Sequence, residues 1–406
     1  MNPSLNPSRR QFIGGTLAAA GSLLGVMSSP AAEEKSKFTR KIKTGFIGGG
    51  GRGRWIAGLF MSHGGYEPVA VADYFRPVAD KLGDALGVDA ARRFSDLSGY
   101  KKVIESGIEA LVIEDVPFFY PEQARAAVEA GLHVYIAKPV AVDVPGCLAI
   151  GAAGKLATQK QRVFLVDYQI PTDPINIEVA RRIRDGGLGP LAQVQTYGIT
   201  GGFKDPPKTA TIESRLQHLV WVNDTALGCD YIGNYDIHAI DAAIWVIGQR
   251  PVVAMGGARI CRASPHGDAH DVCSVVYEYA DGLVHNHYGQ GLANNMDGVL
   301  VAAFAGPVAN AQINYWGKAF VRGGPKHFGG GSIINLYEAG AVRNIATFHQ
   351  NIVEQKYAND TVPRAVDGGL TCILGREAGA RHARLTMDDL IRENKRLDVD
   401  LSGLKA

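Results

Sequence analysis

The predicted fold class is α/β, with an N-terminal doubly wound parallel sheet and a C-terminal α+β domain that carries a large, mostly antiparallel open sheet. A chain of 406 residues exceeds what one hydrophobic core usually organises, so we expect two domains. The first part alternates short apolar strands with helical patterns, which is typical of a parallel sheet. The second part contains several strands in succession, which indicates mostly antiparallel pairing.

The composition is that of a folded protein and argues against nucleic-acid binding. Hydrophobic residues make up 46% and charged residues 20% of the chain, and the formal net charge is +2. The sequence contains no basic stripe with interleaved aromatic residues, so we expect no nucleic-acid partner.

The N-terminus has the features of an export signal. Arg9 and Arg10 precede an apolar stretch, residues 12–26, and small residues follow at 29–32. The stretch is short for a bilayer span, so we predict a twin-arginine (Tat) signal peptide over residues 1–32, with a membrane anchor or a cytosolic helix as the alternatives. This prediction implies export by the Tat machinery to the periplasm, without stable membrane insertion.

A glycine cluster follows the first predicted strand and precedes a helical pattern. Gly48, Gly50 and Gly53 fit the pattern G-x-G-x-x-G. The first glycine allows the tight turn, the second lets the backbone approach a pyrophosphate, and the third packs the helix against the strand. We therefore predict a Rossmann domain over residues 40–165 that binds NAD(P). The cofactor contacts predicted in this loop are Gly48, Gly50, Gly51, Arg52 and Gly53.

The second predicted strand, residues 68–72, ends in Asp73, about 20 residues after the glycine motif. An acidic side chain there can accept hydrogen bonds from both ribose hydroxyls of an adenosine, which favours NAD. Arg76 could instead pair with a 2′-phosphate, so NADP stays open. Asp73 could also merely cap the next helix. Further alternation is expected with helices at 78–86 and 121–130 and strands at 110–113 and 133–137.

A lysine lies just beyond the end of the last of these strands. Lys138 is therefore expected at the carboxyl end of a parallel strand, where doubly wound sheets bind ligands, and Pro139 fixes the turn. The alternative is a surface lysine before a turn proline.

A polar pattern falls on an apolar helix roughly 100 residues later. Asn234, His238 and Asp241 are spaced i, i+4 and i+7, which places them on one helical face. An imidazole oriented by Asp241 is suited to accept a hydroxyl proton as hydride leaves the same carbon. We therefore expect a catalytic His238, the alternative being a histidine buried in the core.

These segments resemble the glucose-fructose oxidoreductase and inositol dehydrogenase (Gfo/Idh/MocA) family, in its secreted twin-arginine branch. The family has an A-G-K-H-V-x-x-E-K-P run, and this chain has Ala137 at the position of the family's glutamate. Residues 117–124 are similar to its preceding proline element, with Tyr120 where a histidine is usual. The matching residues of the run are Ala130, Gly131, His133, Val134, Lys138 and Pro139.

The family's D-x-x-x-H-x-x-D pattern falls on the histidine helix, with Asn234 in place of the first aspartate. Asp236 or Asp230 could supply the missing carboxylate. The resemblance implies an NAD(P)-dependent oxidoreductase that acts on a sugar or polyol hydroxyl. The catalytic residues that it implies are Lys138, Asn234, His238 and Asp241, and the further cofactor contacts are Pro117 and Lys138.

The remaining sequence predicts a substrate and oligomerisation domain over residues 166–345 and a helical segment, 346–406, that packs back on the domains. The broad sheet of the resembled family often forms the oligomer contact, so we expect a homodimer or homotetramer. His285 and His287 are expected on the sheet surface, and no metal site is expected, because no third ligand has a suitable spacing. Substrate contacts are predicted for Tyr168, Gln169, Tyr197 and Asp236, with Asp167, Gln290 and Arg215 as further candidates.

Three functions are compatible with these patterns. The first is an oxidoreductase; because an exported protein meets little free dinucleotide, its NAD or NADP should be bound tightly and recycled in the active site by a second sugar. The second is an NAD-dependent glycosidase or lyase that oxidises a sugar carbon transiently, eliminates, and returns the hydride. The third is a non-catalytic sugar-binding protein.

Overall fold

The computed structural model describes Phe38 and residues 40–263 and 265–406. The predicted signal peptide, residues 1–32, lies outside the described residues. The described chain forms a six-stranded and a nine-stranded sheet. The first is entirely parallel and the second mostly antiparallel, which confirms the predicted α/β fold class.

The first sheet consists of β1 (Ile42–Ile47), β2 (Tyr66–Ala72), β3 (Arg93–Phe94), β4 (Ala110–Ile113), β5 (His133–Ala137) and β6 (Phe164–Asp167). Its strand order is β3-β2-β1-β4-β5-β6. The order reverses between β1 and β4, which opens a crevice at the carboxyl ends of these strands. Strands β4 and β5 are buried along their whole length, as expected for a sheet covered on both faces.

The second sheet consists of β7 (Gln193–Thr200), β8 (Val253–Arg259), β9 (Val272–Glu278), β10 (Val284–Gly291), β11 (Val299–Ala305), β12 (Asn310–Asn314), β13 (Gly317–Arg322), β14 (Phe328–Ile333) and β15 (Leu385–Thr386). Its order is β14-β13-β12-β11-β7-β10-β9-β8-β15. Strands β7 and β10 pair in parallel, and the neighbouring pairs are antiparallel. Side chains alternate between a buried inner face and an open outer face.

The helices are α1 (Gly51–His63), α2 (Arg76–Leu86), α3 (Gly99–Ile104), α4 (Tyr120–Glu129), α5 (Val144–Gln159), α6 (Pro174–Arg184), α7 (Thr225–Gly228), α8 (Ile237–Ile247), α9 (Leu336–Val353), α10 (Thr361–Arg381) and α11 (Met387–Glu393). A π-helical turn, Ile232–Asp236, leads into α8. In the described part of the chain, no helix combines the length and apolar character that a membrane crossing requires.

Two helices near the C-terminus join the domains. Helix α10 packs on α5 and β6 of the first domain and on α8 and β8 of the second. Helix α9 packs on α1. The predicted domain boundary at residue 345 falls inside α9, because this helix continues without a break to Val353. The carboxyl edge of the parallel sheet and the start of α8 therefore lie in one continuous core.

Candidate active site

The glycines of the predicted motif differ in what their surroundings demand. Gly48 has a φ of 85°, which favours glycine, and a Cβ on Gly53 would lie 1.8 Å from the Gly48 carbonyl oxygen. At Gly50 and Gly51, by contrast, an added Cβ would have no described atom within 4 Å. The turn thus requires glycine at position 48, and helix packing requires it at position 53. The open space beside Gly50 and Gly51, at the N-terminus of α1, suits an anionic ligand.

Asp73 lies beside this loop at the end of β2. Its carboxylate accepts hydrogen bonds from the Gly49 N–H at 2.8 Å and from the Phe75 N–H at 2.9 Å. Burial raises the pKa of Asp73 to about 6, and the charge of Asp115 acts in the same direction. The two aspartates line one cleft of about 370 Å³, including its solvent-open part.

Two other predicted cofactor contacts lie nearby but differ in orientation. Arg76 pairs with Asp80 at 3.0 Å on the exposed side of α2, and also donates to the Arg93 carbonyl oxygen. Its guanidinium is therefore engaged away from Asp73. Pro117 is buried and begins the short turn that follows Asp115.

Arg52 is the centre of a charged cluster at the carboxyl edge of the parallel sheet. It forms ion pairs with Glu114, directly after β4, and with Asp167, the last residue of β6. The guanidinium also contacts the Tyr337 hydroxyl at 2.9 Å, and Tyr337 stacks on Trp55 at 4.6 Å between ring centroids. These contacts tie Arg52, a predicted cofactor contact, to acidic side chains at the edge of the sheet.

Lys138 joins this cluster from the end of β5. Its ammonium donates to the backbone carbonyl oxygen of Asn234, in the π-helical turn before α8. Burial lowers the pKa of Lys138 to about 7; Arg52 acts in the same direction, and Asp167 and Glu114 oppose it. Asn234 thus meets the lysine through its backbone, which any residue at that position could provide.

His238 lies one helical turn beyond Asn234 and is buried. Its ring approaches Tyr315 at 5.0 Å and Tyr168 at 6.4 Å, and Nδ1 has no hydrogen-bond partner among the described residues. Burial lowers the pKa of His238, and the positive charges of Lys138 and Arg52 act in the same direction. The imidazole is therefore neutral near pH 7 and has a free nitrogen.

The predicted pairing of Asp241 with His238 is wrong. The Asp241 carboxylate binds Arg364 of α10 at 2.9 Å. Although the two residues are three apart on α8, Asp241 lies on the side of the helix that packs against α10, and the guanidinium there neutralises it. Asp241 is a structural residue of the α8–α10 contact in this arrangement.

Asp236 and Tyr197 do not reach the predicted site either. The Asp236 carboxylate accepts a hydrogen bond from His287 at 3.0 Å on the inner face of the second sheet. It occupies a hole left by the paired Gly198 and Gly289, where a Cβ would lie 1.9 and 2.1 Å from its oxygens. Tyr197 lies on the outer face, where its hydroxyl donates to Gln195.

The other candidates are divided between the site and the periphery. Tyr168 and Gln169 are buried beside the histidine: Tyr168 faces its ring, and Gln169 accepts a hydrogen bond from Tyr315 at 3.1 Å. Asp230 instead binds His270, and Arg215 binds Asp224. Gln290 donates to Asn294 in the loop after β10.

The expected surface position of His285 and His287 is wrong, because both are buried. They lie on the inner face of β10 and share the Thr196 hydroxyl, at 2.7 and 2.9 Å. His287, Asp236 and Cys273 form a group of potential metal ligands within 4.8 Å of one another. His287 pairs with Asp236 at 3.0 Å, and the Cys273 thiol lies 3.9 Å from the same carboxylate oxygen. The two further potential ligands of His287 thus come from elements that spacing along the sequence did not connect to it.

Sequence reasoning missed Glu114 and the role of Asp167. Both follow or end a buried parallel strand, and acidic residues at that edge were the available signal. Arg364 and Tyr315 had no such signal, because each comes from a segment far along the chain.

Comparison with known proteins agrees with this architecture. Residues 42–168 match the model of the oxidoreductase family with an NAD-binding Rossmann fold, GFO_IDH_MocA. The inositol 2-dehydrogenase of Rhizobium meliloti is 24% identical over 248 residues, 59% of this chain and 66% of that protein. The levoglucosan dehydrogenase of Pseudarthrobacter phenanthrenivorans is 24% identical over 214 residues, 52% of each chain. The chain thus matches only about half to two thirds of the length of these curated relatives.

Solved structures with the same fold cover more of the chain. An inositol dehydrogenase homolog from Azotobacter vinelandii, complexed with NAD⁺, superposes with a TM-score of 0.70 at 18% identity, covering 86% of this chain and 98% of that one. A levoglucosan dehydrogenase in complex with NADH gives a TM-score of 0.68 at 18% identity, over 86% and 99%. Residues 42–168 are therefore similar in sequence to the NAD-binding Rossmann domain of the Gfo/Idh/MocA oxidoreductase family, and the chain as a whole has the two-domain fold of those solved structures.

Proposed function

We propose that this chain is an NAD(P)-dependent oxidoreductase that acts on a CH–OH group of a sugar or polyol. The observation that carries the proposal is the meeting of Lys138 and the His238 helix at the edge of the dinucleotide-binding sheet, through the Lys138–Asn234 contact. An ammonium and a neutral imidazole from two domains are thus brought beside the glycine loop. The relatives that bind NAD and are named as inositol or levoglucosan dehydrogenases support the same substrate class.

The residues present fit a dinucleotide. The space beside Gly50 would admit the pyrophosphate, and Asp73 would accept the ribose hydroxyls of the adenosine. Asp73 and Asp115 both line the adenosine cleft, whereas Arg76 is paired with Asp80. Two carboxylates without a free guanidinium repel a 2′-phosphate, so we propose NAD as the preferred cofactor.

The chemistry of the chain's own residues follows from their charge states. His238, held neutral by burial and nearby positive charge, accepts the proton of the substrate hydroxyl. The Lys138 ammonium donates a hydrogen bond to the same oxygen and stabilises its developing negative charge. A bound nicotinamide would supply the acceptor for the hydride that leaves the carbon, so that the product is a carbonyl and the proton rests on His238.

Two segments support tight retention of the cofactor. Leu216, in the connection between β7 and α7, lines the adenosine cleft, and Glu213 of the same connection accepts a hydrogen bond from the Tyr74 hydroxyl at 2.9 Å. The C-terminal Lys405 bonds through its backbone to Tyr74 and to Leu97 at the same cleft. A dinucleotide beneath these segments would leave only when they open. Such retention suits recycling of the cofactor by a second sugar after Tat-dependent export to the periplasm, which we propose for this chain.

The outer face of the second sheet supports the proposed homo-oligomer. Exposed apolar side chains lie on this face: Tyr288 of β10 pairs with Tyr197 of β7, and Met255 lies farther along the sheet on β8. Burying such a patch against a second copy would remove it from water. The expected result of light scattering is a dimer or tetramer, and a monomer at micromolar concentration would contradict it.

The test of function uses the purified chain without added cofactor. Mass spectrometry of the small molecules released on denaturation should detect NAD. Mixing the protein with candidate sugars should reduce the bound cofactor once and then stop until a second sugar is added. Steady release of nitrophenol from nitrophenyl glycosides would instead favour the glycosidase or lyase. His238→Ala should abolish either reaction, and full activity of that variant would remove His238 from the mechanism.

A further inference from the structure

The lysine turn of this chain lacks the acidic neighbour that the resembled family has. Ala137 stands directly before Lys138, where that family has a glutamate. A lysine at the edge of a sheet and beside Arg52 loses favourable charge interactions when that carboxylate is absent. Some other group is needed if the ammonium is to stay charged.

The strand register places a carboxylate directly opposite the missing one. Ile113 of β4 pairs with Ile136 of β5 in parallel. The next residue on β4 is therefore Glu114, and the next on β5 is Ala137. A side chain the size of a methyl group on one strand leaves room for the longer one beside it. On the other side, Ala137 pairs with Asp167 of β6. Carboxylates on both neighbouring strands thus flank the position where the glutamate is missing.

The contacts of Glu114 fit this interpretation. Its side chain is 2% exposed; Oε2 binds Arg52 at 3.0 Å, and Oε1 has no partner in the part of the chain that the structure describes. An unpartnered buried carboxylate oxygen is costly unless a donor reaches it. A substrate hydroxyl would be such a donor. The Lys138 ammonium forms no ion pair with Glu114 in the described part of the chain and acts on it electrostatically.

The charge balance of the cluster supports the same conclusion. Arg52 and Lys138 contribute two positive charges, and Glu114 and Asp167 two negative ones. Burial raises the pKa of Glu114 to about 7; Arg52 opposes this shift, Asp167 adds to it, and Lys138 opposes it. The groups that face the lysine from other elements are Arg52, Glu114, Asp167, the Cys372 thiol and His238.

We propose that Glu114 is a positioning residue that, together with Asp167 on the other neighbouring strand, holds Lys138 in its charged form and takes the place of the carboxylate that the resembled family carries at position 137. The role of Lys138 in hydride transfer rests on the function proposed above. The electrostatic coupling of Glu114 and Lys138 does not, so the two can fail separately.

The test measures the titration of Lys138 directly. Competitive acetylation with acetic anhydride from about pH 5.5 to 9, followed by mass spectrometry of the Lys138 peptide, gives the midpoint at which the amine loses its proton. Glu114→Gln should lower this midpoint by about one pH unit, because a nearby negative charge is lost. The double variant Glu114→Ala/Ala137→Glu should restore it. Glu105→Gln removes the same charge from an exposed position and should leave the midpoint unchanged.

The outcomes separate the two proposals. An unmoved Lys138 midpoint in Glu114→Gln would overturn the assignment of Glu114. A shifted midpoint in a protein that oxidises no sugar would retain that assignment and overturn the proposed function. If both hold, the alkaline limb of the pH profile of kcat/KM, where the Lys138 ammonium loses its proton, should move with the labelling midpoint. If Glu114→Gln does not fold, Glu114→Ala/Ala137→Gln removes the same charge while the amide at position 137 fills the space left at position 114. An unmoved Lys138 midpoint in that variant, relative to the wild type, overturns the assignment equally.

Discussion

Gly50 allows the dinucleotide site to be tested without disturbing the protein. A methyl group there meets no described atom within 4 Å, and the φ of Gly50 is −60°, which any residue adopts. Gly50→Ala should therefore change the free energy of unfolding by less than about 1 kcal/mol, since a poorer helix N-cap is offset by reduced freedom of the unfolded chain. With a pyrophosphate in that space, the added methyl should cost about 1–3 kcal/mol. This cost corresponds to a dissociation constant roughly 5- to 150-fold higher.

The assay is a titration of cofactor-depleted protein with NAD⁺, followed by the fluorescence of Trp55, which lies five residues beyond Gly50. Gly58→Ala is the matched control, because Gly58 lies on the helix that follows Gly50, away from the loop, and an added Cβ there would also have no described atom within 4 Å. That variant should gain up to about 1 kcal/mol of stability and bind NAD⁺ as the wild type does. Equal affinity of Gly50→Ala and the wild type would refute the placement of the pyrophosphate.

Two further predictions concern structural residues near the site. Asp241→Asn should lower the free energy of unfolding by roughly 3 kcal/mol, because Arg364 loses its buried partner, and should leave the pH profile of activity unchanged. If the pH profile of activity changes while the free energy of unfolding in urea does not, Asp241 acts beside His238 after all. His133 accepts a hydrogen bond from the Val163 N–H, and burial, followed by Arg162, lowers its pKa to about 4. The stability that depends on neutral His133 is therefore complete above about pH 6.5 and is lost as the pH falls towards 4, by up to about 3 kcal/mol. Urea unfolding of His133→Gln should lose this part of the pH dependence, and an unchanged slope would contradict it.

The local patterns of the sequence predicted the architecture well. The alternation of strands and helices predicted a parallel first sheet, and the succession of strands predicted a mostly antiparallel second one; both are confirmed. The glycine spacing also predicted a nucleotide-binding turn, and the family match over residues 42–168 agrees. These features are local: hydrophobic periodicity and backbone demands at Gly48 or Gly53 act within a few residues.

The partners of the polar side chains were decided by the tertiary structure. Spacing placed His238 and Asp241 on one face of α8. Because α10 packs against this helix, however, Asp241 pairs with Arg364, which is 123 residues away along the chain. The register between β4 and β5 places Glu114 beside Ala137. In the second sheet, the Asp236 carboxylate fills the space left by a pair of glycines. A helix or strand period determines which face a residue occupies. Which charge meets it there depends on elements brought together from distant parts of the chain, and only the folded arrangement specifies them.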